Sequence, residues 1–317
     1  MELPNRGGRC TRRGRARGWR VACVFAAGLL LFGCAPPWVV PPVPGIDVVL
    51  SEDTPVFTAV AREIARRHGG PVETHQLGDD EQRQREVRRR LQESEKPVVV
   101  AVGLGAALLV SRLAGKQVVF CQVFNYEEAR LPATGMKGVS ATPPVREQFR
   151  YWKLLSPQIK SVGVVTGPGL KALLAEARAA ARAHRIELIH HVARSDKEML
   201  YAYKRMAPKV QGFWLLPDNR VLSRDSVRDL LAFSAKEGKQ ALVFTPDLLD
   251  MGALLSAESE PADVADKVLS WLRPGDRGAN APAVLPLSRV RVRINAVTAS
   301  WMNLTLPPGL KEYAYAP

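Results

Sequence analysis

An α/β fold of two lobes, each a parallel sheet covered by helices, is predicted by three observations. Short runs that are apolar throughout, such as IDVVL at 46–50 and PVVVAV at 97–102, alternate with segments of helical periodicity. Uninterrupted apolar runs of that length are the mark of strands buried on both faces. The alternation comes as two successive series, one from Ile46 and one from Pro144, so two similar Rossmann-like lobes are expected. The length also fits, because the 317 residues exceed what one ordinary domain holds even after an N-terminal segment is set aside.

That segment comes first. Seven arginines between Arg6 and Arg20 precede an uncharged, apolar stretch from Val21 to Gly33, the layout of an export signal. The stretch falls short of the roughly 20 apolar residues that span a bilayer, which favours a cleaved signal over a permanent anchor. Its end, Leu31-Phe32-Gly33-Cys34, resembles a bacterial lipobox. Residues 1–33 are therefore expected to be a lipoprotein signal peptide and Cys34 its lipidation site, with an ordinary signal or an uncleaved anchor as the alternative. Removing seven arginines and one glutamate lowers the net charge from +14 to +8. No basic stripe interleaved with aromatics accompanies that charge, which argues against nucleic acid as a partner. Cys10 and Cys23 leave with the signal, and Cys121 lies in the apolar run VVFCQVF. A small buried hydrophobe and no intrachain disulfide follow. Residues 34–45 carry five prolines and are expected to form a tether reaching about 3.1 Å per residue.

From Ile46 the elements follow in order. IDVVL leads to a helix that Thr54 can cap and Pro55 can open, with Val56, Val60 and Ile64 on one face. VETHQL, PVVVAV and QVVFCQVF are the next strands, with helices at about 80–93 and 105–114 between them. In the second series Val145, Phe149 and Trp152 share a helical face. KSVGVV leads to a helix carrying Leu170, Leu173, Leu174, Ala177, Ala181 and His184 on one side. IELIHHVA leads to Ser195-Asp196-Lys197-Glu198, a capping box opening a helix with Met199, Ala202, Tyr203 and Met206 inward. QGFWLLP, a helix at about 224–237 capped by Ser223, and QALVFT complete the series. The N-terminal lobe is expected at 46–140, completed by about 247–285, and the C-terminal lobe at 141–246, completed by about 286–317, with crossings near 138–144, 244–250 and 285–291. RPGDRGANAPAV at 273–284 is expected to be a loop.

Parallel sheets place functional loops at the carboxyl ends of their strands. The residues there are Ser51, Gly103-Leu104-Gly105, Asn125-Tyr126, Thr166-Gly167, Asp218-Asn219 and Thr245-Pro246-Asp247. Several precede helix N-termini, whose amides attract carboxylates, and Asp218 and Asp247 can accept from an amine. Such a cleft suits a small zwitterion. Ser51, Thr166 and Asp218 equally suit plain capping of their turns.

Longer stretches then resemble a known family, the ABC transporter substrate-binding proteins related in fold to type I periplasmic binding proteins, whose better-studied members bind aromatic amino acids. KQVVFCQVFN, GVSATPPVREQFRYWKLLSPQIKSVGVVTGP, FWLLPDNRVLS and RVRINAVTASWMNLTLPPGL are similar in order and character to its strand and loop motifs. The resemblance implies a hinged two-lobe receptor that closes on its ligand without catalysis. It implies ligand contacts at Ser51, Leu104, Asn125, Thr166 and Asp218, no cofactor and no metal, and an ABC permease as partner. Asn125, Thr166 and Lys137 stand where the family carries Asp, Tyr and Thr, and SAESEPADVADKV replaces its usual Gly- and Tyr-bearing loop after Leu254.

Other chemistries are poorly supported. Gly103-Leu104-Gly105 lacks the third glycine of a dinucleotide fingerprint. His190 and His191 are neighbours in a strand and point to opposite faces, and His68, His75 and His184 show no ligand spacing with them. Trp152, Trp214, Trp271 and Trp301 fall where core packing is the default. The expected function is thus an extracytoplasmic solute-binding lipoprotein of an ABC-type uptake system that takes a small amino-acid-like ligand. The alternative is a sensing or interaction module on the same scaffold, without a permease, facing an outer-membrane receptor. The altered loop at 255–268 suggests it, as does Ala35 after Cys34, which resembles outer-membrane sorting in Gram-negative bacteria.

Overall fold

In a computed structural model of the chain, residues 43–273 and 281–315 are described, apart from Asp79. The signal, Cys34 and most of the tether lie outside them, as does most of the 273–284 loop. Thirteen strands and nine helices follow in chain order among the described residues. β1 (Ile46–Leu50), α1 (Pro55–His68), β2 (Val72–Gln76), α2 (Glu81–Glu93), β3 (Val98–Val102), α3 (Leu104–Val110), β4 (Gln117–Val123) and β5 (Lys137–Ser140) build the first lobe. α4 (Val145–Leu155), β6 (Ser161–Thr166), α5 (Lys171–Ala183), β7 (Glu187–Val192), α6 (Asp196–Met206), β8 (Gly212–Trp214), α7 (Arg224–Lys236), β9 (Gln240–Val243) and β10 (Leu255–Glu258) build the second. α8 (Pro261–Ser270) and β11 (Val284–Leu285) return to the first, and β12 (Arg291–Asn295), α9 (Ala296–Trp301) and β13 (Ala314–Tyr315) close the second.

The first sheet runs β11-β5-β4-β3-β1-β2 and is parallel throughout. The second runs β13-β12-β10-β9-β8-β6-β7, with β12 antiparallel to β10. Strand composition matches position. Central β1 and β3 are buried at every residue, whereas the edge strands β2 (VETHQ) and β7 (ELIHHV) carry the polar and exposed side chains, as edges must to resist further pairing.

Each sheet is covered on both faces. In the first lobe α1 and α8 bury Val60, Ile64, Val264 and Val268 on one side, and α2 and α3 bury Val87, Leu91, Ala106 and Val110 on the other. Thr54 accepts from Phe57 N at 3.3 Å and caps α1, but Val56 is exposed and Ala61 takes its expected place in the core. α2 is held otherwise: only Val87 and Leu91 are buried, and Glu81–Arg85, Glu86–Arg90 and Arg89–Glu93 pair one turn apart on its surface. In the second lobe α4, α5 and α9 cover one face and α6 and α7 the other. The large side chains in this core keep their polar tips bonded. Trp152 Nε1 donates to Gln240 Oε1 at 2.7 Å, Trp214 Nε1 to Gln148 Oε1 at 3.1 Å, and the Tyr203 hydroxyl to Trp214 O at 2.8 Å. A buried donor left without a partner would cost about 1–3 kcal/mol.

Three passes link the lobes, between residues 140–145, 258–261 and 285–291. The second falls later than the expected 244–250. Leu255, Ser256 and Ala257 are buried and pair with β9 and β12, so this apolar run completes the second sheet before the chain leaves it, and the first lobe is completed from residue 261 rather than 247. The stretch expected to be an altered loop at 255–268 is therefore a strand and most of a helix. Asp263 on α8 accepts from Ser288 N at 2.6 Å and Arg289 N at 2.9 Å, fixing the start of the third pass. Beside the second pass, Gln122 donates to the Ser259 hydroxyl at 3.0 Å where the β4–β5 register shifts.

Candidate functional site

The strand ends that the sequence singles out form two groups, one on each lobe. On the first, β1 ends in Leu50 and the next residue, Ser51, is buried with its hydroxyl accepting from Ala106 N at 2.8 Å. Gly103 lies between them at φ +90°, and a Cβ there would sit 2.6 Å from Ser51 Oγ. The glycine is required by this close approach and by its backbone, not by a phosphate. Leu104 opens α3 half-buried, and Asn125 is the second residue of the turn after β4.

On the second lobe, Thr166 and Asp218 converge on Gly167. Thr166 ends β6 fully buried, donates to Gly167 O at 2.9 Å, and its oxygen lies 3.0 Å from His190 Nε2. Burial pushes the His190 imidazole down from its ordinary value, helped by Arg178 and His191. Asp218, 1% exposed, accepts from Gly167 N at 2.8 Å. Its two oxygens also take Arg220 Nε and Nη2, both at 2.7 Å, and Arg220 N at 3.3 Å. A carboxylate with donors on both oxygens, one of them a forked guanidinium, is nearly saturated. Gly167 makes room for this: a Cβ on it would stand 2.8 Å from Arg220 Cζ.

The two groups are linked by the turn after β4, which begins at Phe124 and includes Asn125. Glu127 reaches over to the other lobe and accepts from Lys171 N and Ala172 N, each at 3.1 Å, the first two amides of α5. Glu128 pairs with Arg220 Nη1, which also donates to Pro168 O at 2.6 Å. Phe124 packs against the core of the second lobe, and the Tyr126 hydroxyl is pushed up by burial, then by Glu127 and by Glu176 of α5. Arg220, Glu127 and Glu128 thus belong to the site, and strand-end logic alone does not single them out. The available signals were a guanidinium two residues from Asp218 and an acidic pair two residues after Asn125.

At the opposite end of the first sheet lies a second polar cluster. Asp47 Oδ1 lies 3.2 Å from His75 Nε2 and 3.0 Å from Lys96 Nζ, and Ser94 donates to Oδ2 at 2.7 Å. Glu73 also takes Lys96 Nζ, at 2.5 Å. Asp47, Glu73 and His75 have ligand atoms within 4.8 Å of one another, a grouping that the sequence reading of His75 did not anticipate. The Lys96 ammonium already sits among these acids and supplies their countercharge. Elsewhere, His191 faces α6 and lines a cavity of about 310 Å³ with Tyr201 and Arg205, away from His190, as adjacent strand residues must be. Cys121 is buried as expected, its thiol pushed up to about 12. Trp152 and Trp214 are core residues, and Trp271 donates to Gly138 O at 2.9 Å. Trp301 departs from expectation: it ends α9 and is 84% exposed.

Residues 76–256 match the family described as ABC transporter substrate binding protein, a span that contains Leu104, Asn125, Thr166 and Asp218. No curated protein matches the chain. Among solved structures, it is similar to a substrate binding protein with adhesive properties from Clostridium difficile in a ligand-free, open form, at 12% identity and TM-score 0.63. It is also similar to an ABC domain from Streptococcus pneumonia in complex with L-Trp (19%, 0.61) and to a conserved domain protein from Vibrio cholerae (18%, 0.59). Each of the three matches covers 86% of this chain and 99% of the other.

Proposed function

Because the chain belongs to the ABC transporter substrate-binding protein family, we propose that it is the solute-binding lipoprotein of an uptake system, taking a small amino-acid-like ligand between its lobes. The family is a class of extracytoplasmic, generally non-catalytic solute receptors that serve an ABC permease. Among the described residues no helix is long and apolar enough to cross a membrane, and Cys34 is proposed to carry the anchoring lipid. The observation that carries the ligand class is the convergence of Thr166 and Asp218 on Gly167 just before α5. A buried carboxylate for an amine beside helix amides for a carboxylate is the complement of a zwitterion. Ser51, Leu104 and Asn125 are proposed to supply the contacts of the other lobe. The L-Trp complex of the streptococcal neighbour supports an amino acid as the first ligand to try. A ligand that touches both lobes favours the closed state by its differential affinity.

The test is a thermal-shift screen of the purified protein against amino acids and short organic acids. A ligand at 100 times its Kd adds about 2.7 kcal/mol to stability, and the shift is expected to vanish on Asp218→Ala. A flat screen from a folded protein sinks the ligand proposal.

A second proposal, an outer-membrane-held sensing or interaction module without a permease, is favoured by one feature: Asp218 is already occupied by Arg220. Ala35 after Cys34 points the same way. Fractionation with the inner membrane, or co-purification with a permease, removes it.

A further inference from the structure

The groups that a ligand would address on the second lobe are held here by the protein itself: Asp218 by Arg220 of the same lobe, and the α5 amides and Arg220 in turn by acids of the first lobe. Both Glu127 oxygens sit on the leading amides of α5, at 3.1 Å each. Glu128 grips the outer nitrogen of the guanidinium whose inner nitrogens lie on Asp218. Phe124, at the start of the same turn, is packed into the second lobe's core. The lobes also approach closely here, since a Cβ on Gly169 would lie 3.5 Å from Glu128 Cβ.

We infer that residues 124–128 form an autoinhibitory strap, in which Glu127 and Glu128 hold the lobes together in the absence of ligand and must be displaced from the α5 amides and Arg220 before the cleft can bind. The physical argument is one of competition. A carboxylate bonded to two helix amides satisfies donors that otherwise face solvent, and it complements the positive end of the helix. Arg220 does the same at Asp218, putting a cation where an amine would go. The Glu127–α5 and Glu128–Arg220 contacts cross the cleft, so each is lost when the lobes part. Each is weak alone, because Glu128 is exposed and its pair is screened by salt. Together with Phe124 they set a threshold for opening. An inhibited receptor binds with an apparent Kd raised in proportion to the shrinkage of its open fraction.

The experiment compares the full lipoprotein in detergent with the Glu127→Gln/Glu128→Gln variant by amide hydrogen exchange. Glu128 is exposed and Glu127 half-buried, and an unchanged thermal midpoint verifies that the variant is folded. Exchange at residues 171–172 and across 124–130 is expected to rise about threefold to tenfold, while the strands of both sheets keep their protection. High salt should raise exchange at these sites in the parent and do little in the variant. Unchanged exchange there overturns the strap. The ligand arm rests on the proposed function and uses L-tryptophan as its probe. Apparent affinity should tighten by a similar factor in the variant, and equal affinity in the two proteins overturns the inhibitory role. If L-tryptophan binds neither protein, the amino-acid proposal fails while the exchange result still decides the strap.

Discussion

Two buried aspartates sit at opposite ends of the molecule's strands, and both are saturated with donors. Asp47, second residue of β1, is fully buried and bonded to His75, Ser94 and Lys96, all of its own lobe. Asp218, past the end of β8, is as deeply buried but is bonded to Gly167 N and to Arg220, whose remaining nitrogen is gripped by Glu128 of the other lobe. The chemistry is nearly the same. The first cluster closes within one lobe and can only stabilise it, whereas the second crosses the cleft and registers whether the lobes are together.

The largest effect that would break this comparison is at Asp47. Asp47→Ala removes the partner of His75 and Ser94 and leaves Lys96 to Glu73 alone, and should cost about 3 kcal/mol in urea unfolding, with no change in exchange at residues 171–172. Asp218→Ala should cost less, because Arg220 can turn to water, yet it should alter that exchange. Equal costs with equal exchange changes would erase the distinction.

Acid sharpens it further. Burial alone would raise the Asp47 carboxyl, but the hydrogen bonds from His75, Ser94 and Lys96 outweigh it and bring it from 3.8 down to about 2. A carboxyl lowered on folding adds stability that is complete above its unfolded value and lost as the pH falls through its folded one. About 2 kcal/mol should therefore disappear between about pH 4 and pH 2, and Asp47→Asn should flatten that part of the stability profile.

Smaller perturbations probe the strand ends separately. Gly103→Ala forces a side chain onto φ +90° and into Ser51 Oγ, and should cost about 1–2 kcal/mol in denaturant titration while leaving the second lobe's Asp218 cluster intact. Ser223→Ala removes the hydroxyl that caps α7 and donates to Asp196 at 2.7 Å, for about 1 kcal/mol. Arg89→Ala, which frees one exposed pair on α2, should cost no more than about 0.5 kcal/mol and sets the floor against which the others are measured.

How far the sequence carries can be seen in particular residues. Thr54, Ser195 and Ser223 all cap the helices expected of them, because capping is a contact among residues a turn apart. The box at Ser195 is altered only in that Glu198 bonds Arg194 N. The strands up to β9 were legible from apolar runs, whereas their places as edge or centre come only from the sheet order, which sets polar VETHQ and ELIHHV at the edges and VVVAV inside. The second crossing was misplaced because SAESEPADVADKV looks polar enough for a loop, and only pairing with β9 and β12 makes its first residues a strand. Trp301 reads as core by type and spacing, but nothing covers α9 on that side among the described residues.

By itself, then, the amino-acid order determined most elements through β9, the caps at Thr54, Ser195 and Ser223, their alternation and the two-lobe class, all of which depend on local periodicity and on which runs are too apolar to face water. Tertiary structure decided where the chain changes lobes, which acids share Lys96, and that Arg220, Glu127 and Glu128 close over Asp218 and α5. Those outcomes join residues tens of positions apart in sequence, 92 in the case of Glu128 and Arg220. A charge carries no mark of its partner until the sheets bring the two within reach.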